Sequence, residues 1–258
     1  MFGFGRTNFM RRLFVENFEK LSAPTLKELF INKMAELILS GKLKIGERLP
    51  PERSLAEQMG IGKTVVHSGL QELARMGFVT IKPQSGVYIA DYMVTGNLET
   101  FNAVAKYSGY NISPEIIRGM YDMRYAMEGL AMERFARQHT AEDIKTLREM
   151  IVGICNYVAS EDMNYTGLAE RFFDFHHMLS LLSRSAIIPL TFNAVKDVSI
   201  VLWEKYLRSH SPGKAIDRLT YFVDCFEAGD GEAACLELKN GLDEQFDRMF
   251  NKQQTVLQ

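Results

Sequence analysis

The sequence predicts a mainly α fold in two parts: a winged helix-turn-helix with one small β-hairpin over residues 25–92, then an all-α bundle of about seven helices over residues 97–254. Three observations predict it. Apolar residues recur at helical spacing from Thr25 to Arg75, broken at Ser40-Gly41 and at Gly60-Ile61-Gly62. Two β-prone runs, Phe78-Val79-Thr80-Ile81 and Val87-Tyr88-Ile89-Ala90, flank Lys82-Pro83-Gln84-Ser85-Gly86, a hairpin with a basic, glycine-containing tip. Beyond Asn97 the patterns are long and helical, and no strand pattern intervenes.

Residues 1–24 mix Phe2, Phe4, Phe9, Phe14 and Phe18 with arginines. They read as a tail on the chain's own domain, with a basic arm or a helix on a partner subunit as the alternatives. From Thr25, Phe30, Met34, Leu37 and Ile38 form the apolar stripe of a first helix. Pro51 suits the first turn of a second helix, because its missing N–H has no partner to lose there, and Gly60 suits the position just past its end. In the third helix Val66, Leu70 and Leu73 recur at i, i+4 and i+7 and face inward. The opposite face carries Lys63, Thr64, His67, Ser68 and Gln71, short and medium polar side chains of the kind that reach phosphates and base edges. After the hairpin, residues 91–97 read as a short linker. Helices follow near 97–107, 113–138, 140–159, 166–182, 189–209, 213–228 and 231–251, punctuated by Pro114, Thr140, Pro189, Pro212-Gly213 and Gly229-Asp230-Gly231. Thr140 with Asp143 three residues on forms a variant capping box.

With 258 residues, 47% of them hydrophobic and 24% charged, the chain is long enough for two compact cores. The net charge of −2 argues against a general polyanion binder, so nucleic-acid affinity must come from a local face. Arg48, Arg53, Lys63, Arg75 and Lys82 lie in the more basic N-terminal third. Cys155, Cys225 and Cys235 show no C-x-x-C spacing and read as buried thiols of a reducing compartment. No apolar run approaches the roughly 18 residues of a membrane span, and the start lacks the order of a secretory signal, so a cytoplasmic protein is expected. There is no nucleophile elbow, Walker loop, dinucleotide glycine fingerprint or H-E-x-x-H, so no catalytic residue and no enzymatic activity are expected.

Six spaced segments, Gly41-Lys42-Leu43-Lys44-Ile45-Gly46, Leu49-Pro50-Pro51-Glu52-Arg53-Ser54-Leu55-Ala56, Ile61-Gly62-Lys63-Thr64-Val65-Val66-His67, Leu70-Gln71-Glu72-Leu73, Gly77-Phe78-Val79 and Ser85-Gly86-Val87-Tyr88-Ile89, come in one order. In wording and order this stretch resembles the DNA-binding domain of the GntR family of bacterial transcription regulators. The resemblance implies that Arg53, Lys63, Thr64, His67 and Gly86 contact an operator. Three positions depart from the family pattern: Gly62 replaces a capping serine, and Lys63 and His67 each replace an arginine. Arginine grips guanine with a planar fork, whereas lysine is a point charge and histidine is neutral through much of the physiological range, so the operator sequence does not carry over from arginine-bearing members, while DNA binding does.

The helical part resembles the ligand-sensing domain of the FadR-like branch of that family, on Met123-Arg124-Tyr125-Ala126-Met127-Glu128, Phe175-His176-His177-Met178-Leu179 and Ala228-Gly229-Asp230. The resemblance implies an effector cavity touched by Arg124 and His176. By residue chemistry, Arg124 either pairs with Glu128 one turn along or offers its cation to an acid, and a histidine on an apolar stripe is commonly a hydrogen-bonded core residue. Asp174 and His177 fall off that stripe and are expected to face solvent. Many branch members hold a divalent metal through an aspartate and three histidines; here those positions fall on Phe172, His176 and near Leu219 and Gly241. No metal and no cofactor are expected, because one imidazole cannot supply the three or four donors such sites draw on. The implied partners are a palindromic double-stranded DNA operator, a small organic-acid or acyl-type effector and a second copy of the chain, with repression relieved by the effector. An architectural or ligand-independent DNA-binding regulator is the alternative, and an enzyme carrying a DNA-binding module a less favoured one.

Overall fold

The computed structural model describes residues 24–107 and 113–250. Residues 1–23 of the N-terminal extension and 251–254 at the end of the expected bundle lie outside them.

Helix α1 (Leu26–Leu39) starts at a capping box, in which Thr25 Oγ1 accepts from the Glu28 N–H at 3.2 Å and Glu28 Oε2 accepts from the Thr25 N–H at 2.7 Å. It buries Ile31 and Ala35 beside Phe30, Met34 and Ile38, while Leu37 is only half-buried, so the apolar stripe is rotated from the one expected. Helix α2 (Glu52–Met59) has Pro51 as its N-cap rather than in its first turn, and ends on Gly60 at φ +65°, a left-handed conformation open to glycine. In α3 (Lys63–Arg75) Val66, Leu70 and Leu73 are fully buried. Gly69 lets α1 and α3 approach, since a Cβ there would overlap the Phe30 ring. Gly69→Val is therefore expected to destabilise the chain by about 1–3 kcal/mol through overpacking, read as a lowered thermal midpoint, whereas Ser68→Ala on the neighbouring half-buried position stays within about 0.5 kcal/mol.

The wing is an antiparallel pair, β1 (Val79–Lys82) and β2 (Gly86–Ile89), with Val79 opposite Ile89 and Lys82 opposite Gly86. Val79 and Ile89 close the first core under it. The stretch after the wing is more than a linker. Asp91 caps a short helix α4 (Tyr92–Thr95), and three side chains then fasten this stretch to the end of α3. Thr95 Oγ1 donates to Gly77 O at 3.2 Å, Asn97 Nδ2 to Arg75 O at 3.3 Å and Thr100 Oγ1 to Met76 O at 2.5 Å. Carbonyls left without helical partners at and just past the end of α3 are thereby satisfied. Helix α5 (Leu98–Tyr107) next gives Ala103 to the apolar core of the winged part and Ala105 to the core of the bundle.

The bundle comprises α6 (Pro114–Gln138), α7 (Ala141–Val158), α8 (Tyr165–Leu182), α9 (Ile188–Ala194), α10 (Lys196–Ser209), α11 (Pro212–Glu227) and α12 (Gly231–Phe250). Side-chain caps from Ser113, Thr140, Asn164 and Ser211 start four of them, the second through the capping box with Asp143. Helix α6 lies along α12, α8 along α10, and α7 against α8 and α11. The run over 189–209, expected as one helix, is two, because Val195 leaves helical geometry at φ −111°, ψ 14°. No glycine or proline marks the break. Asn102 Nδ2 of α5 donates to Ala194 O at 2.5 Å and so uses a carbonyl that a continuous helix would have consumed.

All three cysteines are free thiols, and Cys225 and Cys235 are buried as expected. Cys155 is exposed, a departure from the sequence expectation, because it lies on the outer side of α7 whose inner stripe is Ile144, Leu147, Ile151 and Ile154. Among the described residues no helix is long and apolar enough to cross a membrane.

Candidate functional site

The outer face of α3 begins at Gly62, which as N-cap supplies no side-chain oxygen. Lys63 and Thr64 are exposed in the first turn, and His67 one turn on. His67 Nδ1 lies 2.8 Å from Glu52 Oε1 of α2, so this imidazole is already engaged within the protein. Arg53 is 87% exposed and, among the described residues, pairs only with Glu57, at 3.0 Å one turn along its own helix, a surface pair worth roughly 0–1 kcal/mol that a stronger anion displaces. At the wing, Gly86 adopts φ +124° and its missing Cβ leaves room for the Arg48 guanidinium, whose Nε would lie 3.0 Å from such a carbon. Exposed Arg48 thus sits against the wing, its backbone paired antiparallel with that of Tyr88, and the Tyr88 ring faces Lys82 Nζ at 4.8 Å. Sequence analysis counted Arg48 only as part of a basic N-terminal third; the glycine of the wing was the signal that something large passes beside it.

Inside the bundle a buried cluster joins three helices. Glu128 of α6, with no exposed surface, accepts from Arg124 Nε at 2.7 Å and from the Nδ1–H of His176 on α8. Burial alone would push the Glu128 carboxyl up, but the Arg124 charge and then the imidazole overcome it and hold the carboxyl down at about 2. His176 is pushed below its ordinary value, first by burial, which outweighs the pull of Glu128. A neutral ring that gives its Nδ1 proton to Glu128 presents a bare lone pair at Nε2. That Nε2 is buried and has no partner among the described residues. Trp203 of α10 stacks on the His176 ring at 5.5 Å and on Phe172 at 4.9 Å, and the Arg124 guanidinium lies over it at 5.3 Å.

Two adjoining lobes share Arg124, His176, Trp203 and Gln245 as walls. The larger, about 40 Å³, is lined by Met120, Met123, Met127, Phe173 and Phe192 and reaches Val195 at the α9–α10 break. The smaller, about 10 Å³, adds Arg218, Leu219 and Gly241. Such spaces hold a few waters, so an organic ligand must move the unbranched methionines, which adapt readily.

Gly241 lies in the interior of α12, where glycine costs about 0.5–1 kcal/mol relative to alanine, and the structure shows what offsets this. A Cβ at 241 would lie 2.9 Å from Arg218 Cζ and Nε, so the glycine makes room for that guanidinium. Arg218 Nε donates to Glu237 Oε1 at 2.7 Å and Nη2 to Glu244 Oε2 at 2.9 Å, one acid on either side of Gly241 along α12. Sequence reasoning missed Arg218; a helix-interior glycine between two glutamates four residues before and three after it was the available signal.

His176 and Arg124 are therefore brought together, and Arg124 both pairs with Glu128 and faces the cavity. Asp174 is exposed as expected, but His177 is half-buried, against the sequence expectation, because its ring stacks on Phe173 at 5.9 Å. Of the four positions where the family resemblance places metal ligands, His176, Leu219 and Gly241 line one lobe and Phe172 is buried against Trp203. One imidazole nitrogen is their whole donor set. The residues present do not fit a divalent metal that draws on three or four donors.

The gntR family of bacterial regulatory proteins is matched over residues 30–89, and the FCD domain over residues 119–243. The chain belongs to the GntR family. In this GntR protein the first match covers the winged part and the second takes in the cluster of Arg124, Glu128, His176, Arg218 and Gly241. Its relatives include the uncharacterized HTH-type transcriptional regulator YcbG of Bacillus subtilis (strain 168), 24% identical over 66% of this chain and 67% of that one. The Uxu operon transcriptional regulator of Escherichia coli (strain K12) is 30% identical over 45% of this chain and 43% of its own. The fatty acid metabolism regulator protein of Escherichia coli O1:K1 is 24% identical over 62% of this chain and 64% of its own. The chain thus spans less than two thirds of the latter two. Among solved structures, one described as Lar, which controls the expression of the Listeria monocytogenes agr system, shares the fold with a TM-score of 0.60 at 13% identity, over 90% of this chain and 99% of that one.

Proposed function

We propose that this GntR-family protein is a cytoplasmic, homodimeric, sequence-specific DNA-binding repressor, without catalytic activity, whose operator affinity is set by a small organic-acid or acyl-type effector in the bundle. The observation that carries the reading is the outer face of α3: its inner stripe is fully buried, while Lys63, Thr64 and His67 stand exposed at the end that enters a major groove in helix-turn-helix proteins. Arg53 of α2 adds a cation for the phosphate backbone, and at the wing Gly86 sets the turn beside Arg48. The first-turn amides of α3, uncapped by Gly62, suit a phosphate oxygen. Two copies would place two such helices on a palindrome.

For the effector, Arg124 and the unpaired Nε2 of His176 face one cavity. A route from it to the DNA-binding part is built into the fold. The cavity wall includes Val195, the neighbouring Ala194 carbonyl is held by Asn102 of α5, and Thr100 of α5 is bonded to Met76 at the end of α3. A ligand that binds two settings of the α9–α10 break unequally would shift α3 by that differential affinity and no more.

The test is selection of bound duplexes from a random double-stranded library by the purified protein. Enrichment of one palindrome, bound by two chains, supports the reading. A sequence-indifferent pool, or a selected duplex bound equally by Arg53→Ala and Lys63→Ala, sinks it.

A further inference from the structure

We propose that the ligand of the bundle cavity is a small organic anion clamped by the two guanidinium groups of Arg124 and Arg218, which take the part that a divalent metal plays in metal-holding relatives. The inference rests on the effector reading above and names the chemistry of that same cavity.

The lining groups point one way. Among the described residues, the walls of the two lobes hold two guanidinium groups, a neutral imidazole acceptor and the Gln245 amide, and no carboxylate. Glu128, Glu237 and Glu244, which pair these arginines, are absent from both linings. They aim the guanidiniums without filling the space in front of them. Arg124 uses only its Nε on Glu128, and Arg218 uses Nε and Nη2, so both terminal amino groups of Arg124 and Nη1 of Arg218 have no hydrogen-bond partner among the described residues. Planar N–H forks of this kind hold a carboxylate with directed, charge-assisted bonds.

Gly241 makes room for the arrangement. At Gly241, near where the family resemblance implies a metal-ligating histidine, any side chain would collide with the Arg218 guanidinium, so a side chain at 241 and the observed seat of Arg218 exclude one another. Glu237 and Glu244 hold Arg218 across the glycine, on the cavity side of α12. The space beside the two cations is small, so the charged head must be compact; an apolar tail would run into the methionine-lined lobe.

The experiment is calorimetric titration of the full chain, in excess EDTA, with acetate, butanoate and hexanoate and with the matching neutral amides. The expected result is binding of at least one acid with no effect of the chelator, and binding of its amide weaker by about tenfold or more. Arg218→Met should weaken that acid by a similar factor. Gly241→Ala, which favours the helix but pushes a methyl into the guanidinium, should do the same and guards against a folding defect in the first variant. Binding that EDTA abolishes overturns the proposal. So does a chain in which Arg124→Met loses the acid while Arg218→Met and Gly241→Ala keep it; the effector cavity then stands and the clamp falls. If no acid binds, or all three variants bind it as the unaltered chain does, the effector reading falls along with the clamp.

Discussion

Replacing Glu128 with leucine is expected to lower the stability of the chain by about 3–5 kcal/mol, because it leaves the half-buried Arg124 cation without its counter-charge and the buried His176 ring without its acceptor. Arg124 loses its Nε acceptor, and His176, which is buried, loses the acceptor of its Nδ1 proton. At about 2–4 °C per kcal/mol for a chain of this length, thermal unfolding should shift down by roughly 10 °C. A shift of under about 2 °C would show that the cluster is not a buried ionic one. The same cluster makes stability depend on pH in one direction. Both groups titrate lower folded than unfolded, so as the pH falls the unfolded chain takes up protons first. The contribution is whole above the ordinary histidine value of 6.5. It declines below 6.5 as His176 stays neutral in the folded chain, and declines further below 4.5, the ordinary glutamate value, because folded Glu128 holds off protonation down to about 2. His176→Gln should flatten the first of these declines and, since the imidazole helps hold the Glu128 carboxyl down, shrink the second without abolishing it.

Lys63→Glu is expected to weaken binding to the selected palindrome by about a hundredfold or more, since a dimer would lose two phosphate-facing cations and gain two repelling charges. The slope of log affinity against log salt should become shallower by about one unit per copy. Arg53→Ala, which only deletes a charge already shared with Glu57, should cost about tenfold. Lys145→Glu, an equally exposed lysine on α7 of the bundle, is the control and should leave both affinity and slope unchanged. Equal losses for Lys63→Glu and Lys145→Glu would mean that net charge, and not the face of α3, governs binding.

Legibility followed how local the cause of each feature was. The Thr140–Asp143 cap, the glycine stop at Gly60 and the buried stripe of α3 are written in neighbouring residues, and they were readable; the Thr25–Glu28 box, as local as these, was passed over. The break at Val195 was not, because nothing beside it is a breaker; it is held by Asn102, 92 residues away along the chain. Helix α4 hid for a related reason, since its hold on the end of α3 comes from side-chain bonds across 18 to 24 residues. At the cavity, Arg124 and His176 were found by motif and the Arg124–Glu128 pair by helical spacing, whereas the bond from His176 to Glu128 joins two helices 48 residues apart and was not readable. Arg218 was missed because its meaning depends on an absent side chain at 241.

Helix α5 couples the unfolding equilibria of the two cores. With Ala103 closing one and Ala105 the other, less than a turn apart, neither core can melt without exposing apolar surface of its neighbour. Heat absorption should therefore come in one peak, whose calorimetric and van't Hoff enthalpies agree, and not in two separable steps. A winged part cut off before Leu98 would start from a core already open on one side.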